Sequence, residues 1–104
     1  MNINLELLKT ILLAKDEPEL LKSILMAKDR FGFTPLHWAA GQGQTEVVTA
    51  IINAAKDSND PEVLKSILSA QTKVGNTPLD VAASVNQTKT VEVIRNAIKG
   101  EKIL

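Results

Sequence analysis

A chain of 104 residues has room for one small hydrophobic core, and 44% hydrophobic against 23% charged residues is the balance of a folded domain, not of a disordered one. Twelve basic and twelve acidic residues leave no net field to draw in nucleic acid or an anionic membrane, and the lack of cysteine excludes disulfides, thiolate metal sites and a cysteine nucleophile. No stretch approaches the ~20 apolar residues of a membrane span, and the N-terminus has neither the basic start nor the apolar run of an export signal, so the expected compartment is the cytosol.

In chain order, helices are expected over 3–15 and 18–27. The strings LLKTILLAKD at 7–16 and LLKSILMAKD at 20–29 agree at eight of ten positions. In the second, Leu21, Ile24 and Leu25 fall at i, i+3, i+4 and form one apolar stripe, with Lys22 and Ser23 off it. Pro18 suits the first helical turn, where a missing N–H costs nothing. A turn-rich stretch at 28–34 contains Gly32. Thr34 then offers an N-cap hydroxyl and Pro35 a first helical residue, opening a short helix over 35–41 that carries Leu36, Ala39 and Ala40 and ends at Gly41 and Gly43. A helix over 45–56 follows, striped by Val47, Val48, Ile51 and Ile52.

Asp60 and Pro61 open the next helix, 61–70, with Leu64, Ile67 and Leu68 on its stripe. A second turn at 71–77 contains Gly75, and Thr77-Pro78 opens a helix over 78–85 bearing Leu79, Ala82 and Ala83. Asn86 tolerates the left-handed conformation at its end, and a last helix runs over about 89–99 with Val91, Ile94, Ala97 and Ile98. No segment alternates long enough for a strand, and aromatic residues are only 3% of the chain. The expected class is all-α, with seven helices.

The chain also repeats itself. Residues 18–40, PELLKSILMAKDRFGFTPLHWAA, and 61–83, PEVLKSILSAQTKVGNTPLDVAA, are identical at fourteen of twenty-three positions with an offset of 43. Asp29-Arg30-Phe31-Gly32-Phe33-Thr34-Pro35-Leu36-His37-Trp38-Ala39-Ala40-Gly41-Gln42-Gly43 closely resembles the ankyrin repeat signature D-x-x-G-x-T-P-L-H-x-A-A-x-x-G, and Glu46-Val47-Val48 matches the start of that family's second helix. Gly75, Thr77, Pro78, Leu79, Ala82 and Ala83 repeat it in register. The resemblance covers roughly 29–52 and 72–98 and implies a stacked helical solenoid that binds other proteins. The offset of 43 exceeds the family's usual 33, leaving room for an added helix at 61–70. The second copy has Asp80 in place of His and Asn86 in place of Gly, and reads as carrying three inserted residues around 88–90. One domain, 1–104, is expected, divided into a partial unit at 1–28, a full unit at 29–71 and a C-terminal unit at 72–104.

Candidate functional residues follow from the resemblance. Arg30, Phe31 and Phe33 surround Gly32, and Lys73, Val74 and Asn76 surround Gly75; in the family such tips project from the stack and contact partners. Phe31 and Phe33 leave two readings open, an interaction patch or packing on the adjacent turn or the helix at 3–15. Gln42 and Ser84 lie on the same side in the family. Trp38 has two readings, an interaction hot spot or, because it falls where the family packs repeat against repeat, a core residue; the core is the expected one. His37, the single histidine, lacks the partners that catalysis or metal binding would need, and the resemblance gives it a structural bond to neighbouring loop backbone. Lys9, Lys15, Lys22, Lys28, Lys56 and Lys65 alternate with acids as solvated faces. Asn86-Gln87-Thr88 fits a glycosylation sequon and reads as structural.

The expected function is a protein-interaction module that binds an unidentified partner protein through its tip loops and short inner helices. The alternative is a structural or capping segment of a larger solenoid, or a self-associating scaffold. No enzyme activity, cofactor, metal, nucleic acid or membrane partner is expected, and the chain is expected to be a monomer or a weak self-associator. The family's range also includes proteins that host-associated bacteria deliver into host cells.

Overall fold

Threonine or aspartate caps, each followed by proline, set where three of the helices begin. The computed structural model describes residues 9–10, 13, 16–58 and 60–100. Among them, α1 spans Pro18–Leu25, α2 Pro35–Gly41, α3 Thr45–Asp57, α4 Pro61–Ser69, α5 Pro78–Ser84 and α6 Thr88–Gly100. Every one lies within two residues of its expected limits. Lys9, Thr10 and Leu13 are helical too, while the rest of the helix expected at 3–15 lies outside the described residues. No strand occurs among the described residues.

The short inner helices α2 and α5 are held open at their first turn by matching devices. Thr34 Oγ1 accepts from the His37 N–H and Thr77 Oγ1 from the Asp80 N–H, and each third helical residue reaches back to the cap's own N–H. The capping box therefore survives the exchange of His37 for Asp80: Asp80 Oδ2 accepts from the Thr77 N–H at 3.0 Å, as His37 Nδ1 does from the Thr34 N–H at 3.1 Å. Asp60 caps α4 through the Glu62 N–H. At the other end of the inner helices, Gly43 and Asn86 take φ of 67° and 60°, the left-handed turn that leads each chain into its outer helix. Gly41 is still helical, and a Cβ there would lie 3.1 Å from Val81 Cγ1. Its smallness serves the approach of α5, not the end of α2.

The register between copies is unbroken. Gly43, Gln44 and Thr45 stand as Asn86, Gln87 and Thr88, and the first bonds of the outer helices, Val48 N–H to Gln44 O and Val91 N–H to Gln87 O, are again 43 residues apart. The three-residue insertion expected around 88–90 is thus absent. It would have forced a bulge at the start of α6, where Thr90 Oγ1 instead meets Thr45 Oγ1 at 3.0 Å.

Packing follows the repeat. Inner helix α2 lies on α5, outer helix α3 on α6, and each inner helix on its own outer helix. The added helix α4 packs on α3 and reaches α5, and α1 packs on α3. One continuous core results, from Leu21 and Leu25 of α1 through Leu36, Val48 and Ile51 to Ile94 and Ala97 of α6. Val63, Leu64, Ile67 and Leu68 of α4 are all fully or nearly fully buried within or against it, each contributing roughly 1.5–3 kcal/mol relative to exposure. The added helix therefore makes up part of the apolar area that so short a stack lacks. Burial differs between the copies within the helices: His37, Ala40 and Ile52 are buried whereas their counterparts Asp80, Ala83 and Arg95 are exposed, and Trp38 is exposed whereas Val81 is buried.

The tip loops also repeat. Asp29 to Gly32 and Thr72 to Gly75 are turns closed by Gly32 N–H to Asp29 O and Gly75 N–H to Thr72 O, at 3.0 and 2.9 Å, with φ of 81° and 86° at the glycines. The loops touch. Lys73 N–H donates to Phe31 O at 3.1 Å, and a Cβ at Gly32 would come within 2.7 Å of Lys73 N, whereas one at Gly75 would meet nothing within 4 Å. Gly32→Ala and Gly75→Ala share a left-handed backbone penalty of roughly 1–2 kcal/mol. Only the first adds a backbone collision, so urea unfolding is expected to show it losing about twice as much stability or more. Equal losses would show that the loops do not meet at Gly32.

Candidate functional site

Three polar contacts turn two separate loops into one surface. His37 is fully buried. Its Nδ1 accepts the Thr34 N–H, which leaves the proton on Nε2, and Nε2–H donates to Asn76 O at 2.9 Å in the next loop. The histidine thus does what the resemblance implies, bonding neighbouring loop backbone. Lys73 N–H to Phe31 O is the second link. The third is Lys28 Nζ to Gln71 O at 3.1 Å, so Lys28 ties the loops together in addition to standing on a solvated face. Burial pushes the His37 imidazole below the usual histidine value, against the pull of the Asn76 and Ala70 carbonyls.

Within the first loop, Asp29 organises the turn. Its Oδ1 accepts from the Phe31 and Phe33 N–H groups and its Oδ2 from Trp38 Nε1–H at 2.8 Å. Partial desolvation raises the carboxyl, but these three donors and the Arg30 charge outweigh it and hold the group below its ordinary value. In the second loop Thr72 takes the same place. Its Oγ1 accepts from the Val74 and Asn76 N–H groups at 3.3 and 3.2 Å. The turn is conserved between the loops while the carboxylate is not.

The structure separates the candidate residues. Arg30, Phe31, Lys73, Val74 and Asn76 are all exposed at the tips. Phe31 is 57% and Val74 81% exposed, and the Arg30 guanidinium carbon lies 5.4 Å from the centre of the Phe31 ring. Phe33 is half-buried and packs on its own inner helix, with ring centres 5.5 Å from His37 and 5.4 Å from Trp38. Phe31 thus stays open, whereas Phe33 packs, on α2 and not on the adjacent turn expected as its packing surface. Asn76 contributes its carbonyl to His37 and to the Thr72 N–H. Gln42 and Ser84 are exposed at the far ends of α2 and α5, and Ser84 Oγ donates to Val81 O.

Trp38 corrects its expected role as a core residue. It is 39% exposed, with its indole N–H satisfied by Asp29. Its counterpart Val81 is buried, beside Gly41 of the preceding inner helix. Among the described residues no inner helix precedes α2, so the same helical position is covered in the second copy and open in the first. No group of three or more histidine, acidic or cysteine side chains among the described residues could hold a metal. None of their helices is long and apolar enough to cross a membrane.

His37→Gln is expected to lose about 1–3 kcal/mol, because a glutamine cannot reach both Thr34 N–H and Asn76 O. The sign of its pH dependence follows from the lowered value. The unfolded imidazole takes up a proton around 6.5 and the folded one only at lower pH. This contribution to stability is complete above 6.5 and is lost as the pH falls through the folded value. The gap between wild type and His37→Gln in chemical unfolding should therefore narrow from about pH 7.5 to about pH 5; a constant gap would exclude a neutral buried imidazole.

No curated protein matches this chain. A family model, that of ankyrin repeats in three copies, matches residues 1–103. Such repeats are generally protein–protein interaction modules and typically non-enzymatic. With a match over nearly its whole length, on paired Thr-Pro-capped inner helices linked through His37, the chain belongs to the ankyrin repeat family.

Proposed function

We propose that the chain is a non-enzymatic docking module whose partner protein lies across the two tip loops and the open flank of α2. The observation that carries this reading is the exposure of Phe31, Val74 and Trp38 together on the loop-and-inner-helix side. Large apolar side chains left open on a rigid frame mark an interaction patch. The frame is rigid because the exposed residues sit on turns whose backbone donors are already bonded to Asp29 and Thr72. A partner then binds without the cost of ordering the loops. Arg30, Phe31, Lys73 and Val74 form the centre of the face, Trp38 joins it, and Gln42 and Ser84 extend it along the inner helices. Phe33 and Asn76 support it from beneath, through Trp38 and His37.

A self-associating scaffold is the second reading. It is favoured by Leu13 and Leu20, both exposed ahead of α2.

Phe31→Ala/Val74→Ala removes the two most exposed anchors and touches nothing in the core, so its melting temperature should match wild type within a few degrees. In a pull-down from cell lysate, the partner captured by wild type is expected to be lost with this variant. Capture that is equal for both would place the binding surface elsewhere. Concentration-dependent dimerisation abolished by Leu20→Glu, with no partner captured, would favour the scaffold.

A further inference from the structure

The two tips carry the same kind of pair, a cation and an apolar side chain, in the same turn positions. Arg30 and Phe31 are the central residues of the first turn, Lys73 and Val74 of the second. Each tip therefore presents a cation beside an exposed apolar group, followed by a left-handed glycine. The Lys73 N–H to Phe31 O bond sets the two pairs side by side at backbone contact distance.

Charge on this rim is one-sided although the chain as a whole is neutral. Residues 26–34 and 70–77 contain Lys28, Arg30 and Lys73 against one acid, Asp29. Both Asp29 oxygens already accept from Phe31, Phe33 and Trp38, and in the second tip its place is taken by uncharged Thr72. The next acid along the chain after the second tip, Asp80, accepts from the Thr77 N–H. Lys28 is spent on Gln71 O, which leaves Arg30, over the Phe31 ring, and Lys73 to meet a partner.

We infer that the segment docking on these tips is an acidic peptide in which carboxylates and apolar side chains alternate: the carboxylates pair with Arg30 and Lys73, and the apolar side chains cover Phe31 and Val74. This rests on the docking reading above and names its partner's chemistry. In an extended chain the side chains at i, i+2 and i+4 share one face, so carboxylates and apolar groups that alternate along that face point toward the rim together. Such a segment meets the rim's cations and its apolar groups at once. The charge pairs steer and register the segment, and the apolar contacts slow its release.

The test is a selection of random linear peptides, displayed on phage, against the wild-type chain. The strongest binders are then synthesised and titrated by fluorescence anisotropy against wild type, Arg30→Glu/Lys73→Glu and Phe31→Ala/Val74→Ala, with the fold of each variant checked by circular dichroism. All four positions are exposed, so both variants should fold. The selected peptides are expected to be acidic with interleaved apolar residues, to bind each variant roughly tenfold or more weakly, and to weaken as salt is raised. Neutral or basic peptides that are lost with Phe31→Ala/Val74→Ala would overturn the acidic partner and leave the docking face standing. Peptides that bind both variants as well as wild type would overturn both. Binding of a purely acidic peptide or a single-stranded oligonucleotide as tight as that of the selected peptides would show a generic anion surface and overturn the alternating partner. An empty selection would also count against it, since the anchors lie within reach of one short extended chain.

Discussion

One imidazole holds the repeat together. His37 closes the first turn of α2 through Nδ1 and reaches the next loop through Nε2, so a local helix signal and a long-range contact share a single side chain. Each bond fixes the tautomer that the other needs. The arrangement works only while the ring is neutral, and burial keeps it so. Asn76, Gly32 and Lys73 are all placed by this link and by the loop contact beside it. The exposed tips inherit their positions from a group that no partner could touch.

Much of the fold was legible because its signals are local. Thr34-Pro35 and Thr77-Pro78 fix the inner helices through geometry that four residues determine. The left-handed turns at Gly43 and Asn86 likewise announce themselves by residue type. What misled was a second, similar string. Glu92-Val93-Ile94 resembles Glu46-Val47-Val48 displaced by three residues beyond the repeat offset, and suggests an insertion. The backbone follows the offset of 43 instead, because that register buries Ile94 as it buries Ile51.

The candidate site was legible in outline only. Position within a turn distinguishes Arg30 and Lys73 from core residues, but it does not say which of two nearby phenylalanines stays open. Phe33 follows Gly32 and is turned back onto His37 and Trp38, whereas Phe31 precedes it and projects. Trp38 depends on its neighbours in the stack. The same helical position is covered in α5 and uncovered in α2, and no property of a single repeat carries that information. Exposure here belongs to place in the array, not to residue type.

Where the first copy buries His37, Ala40 and Ile52, the second leaves Asp80, Ala83 and Arg95 exposed, so the two copies do not present the same side. A solenoid whose two sides matched perfectly would invite head-to-tail growth, because a heterologous contact that does not close on itself propagates without limit. A carboxylate and a guanidinium on one side break that match, much as charged residues blunt the edge strand of a sheet. The same helical phrase is therefore used twice within one chain, where the covalent link chooses the neighbour, while the two copies keep unlike exposed sides.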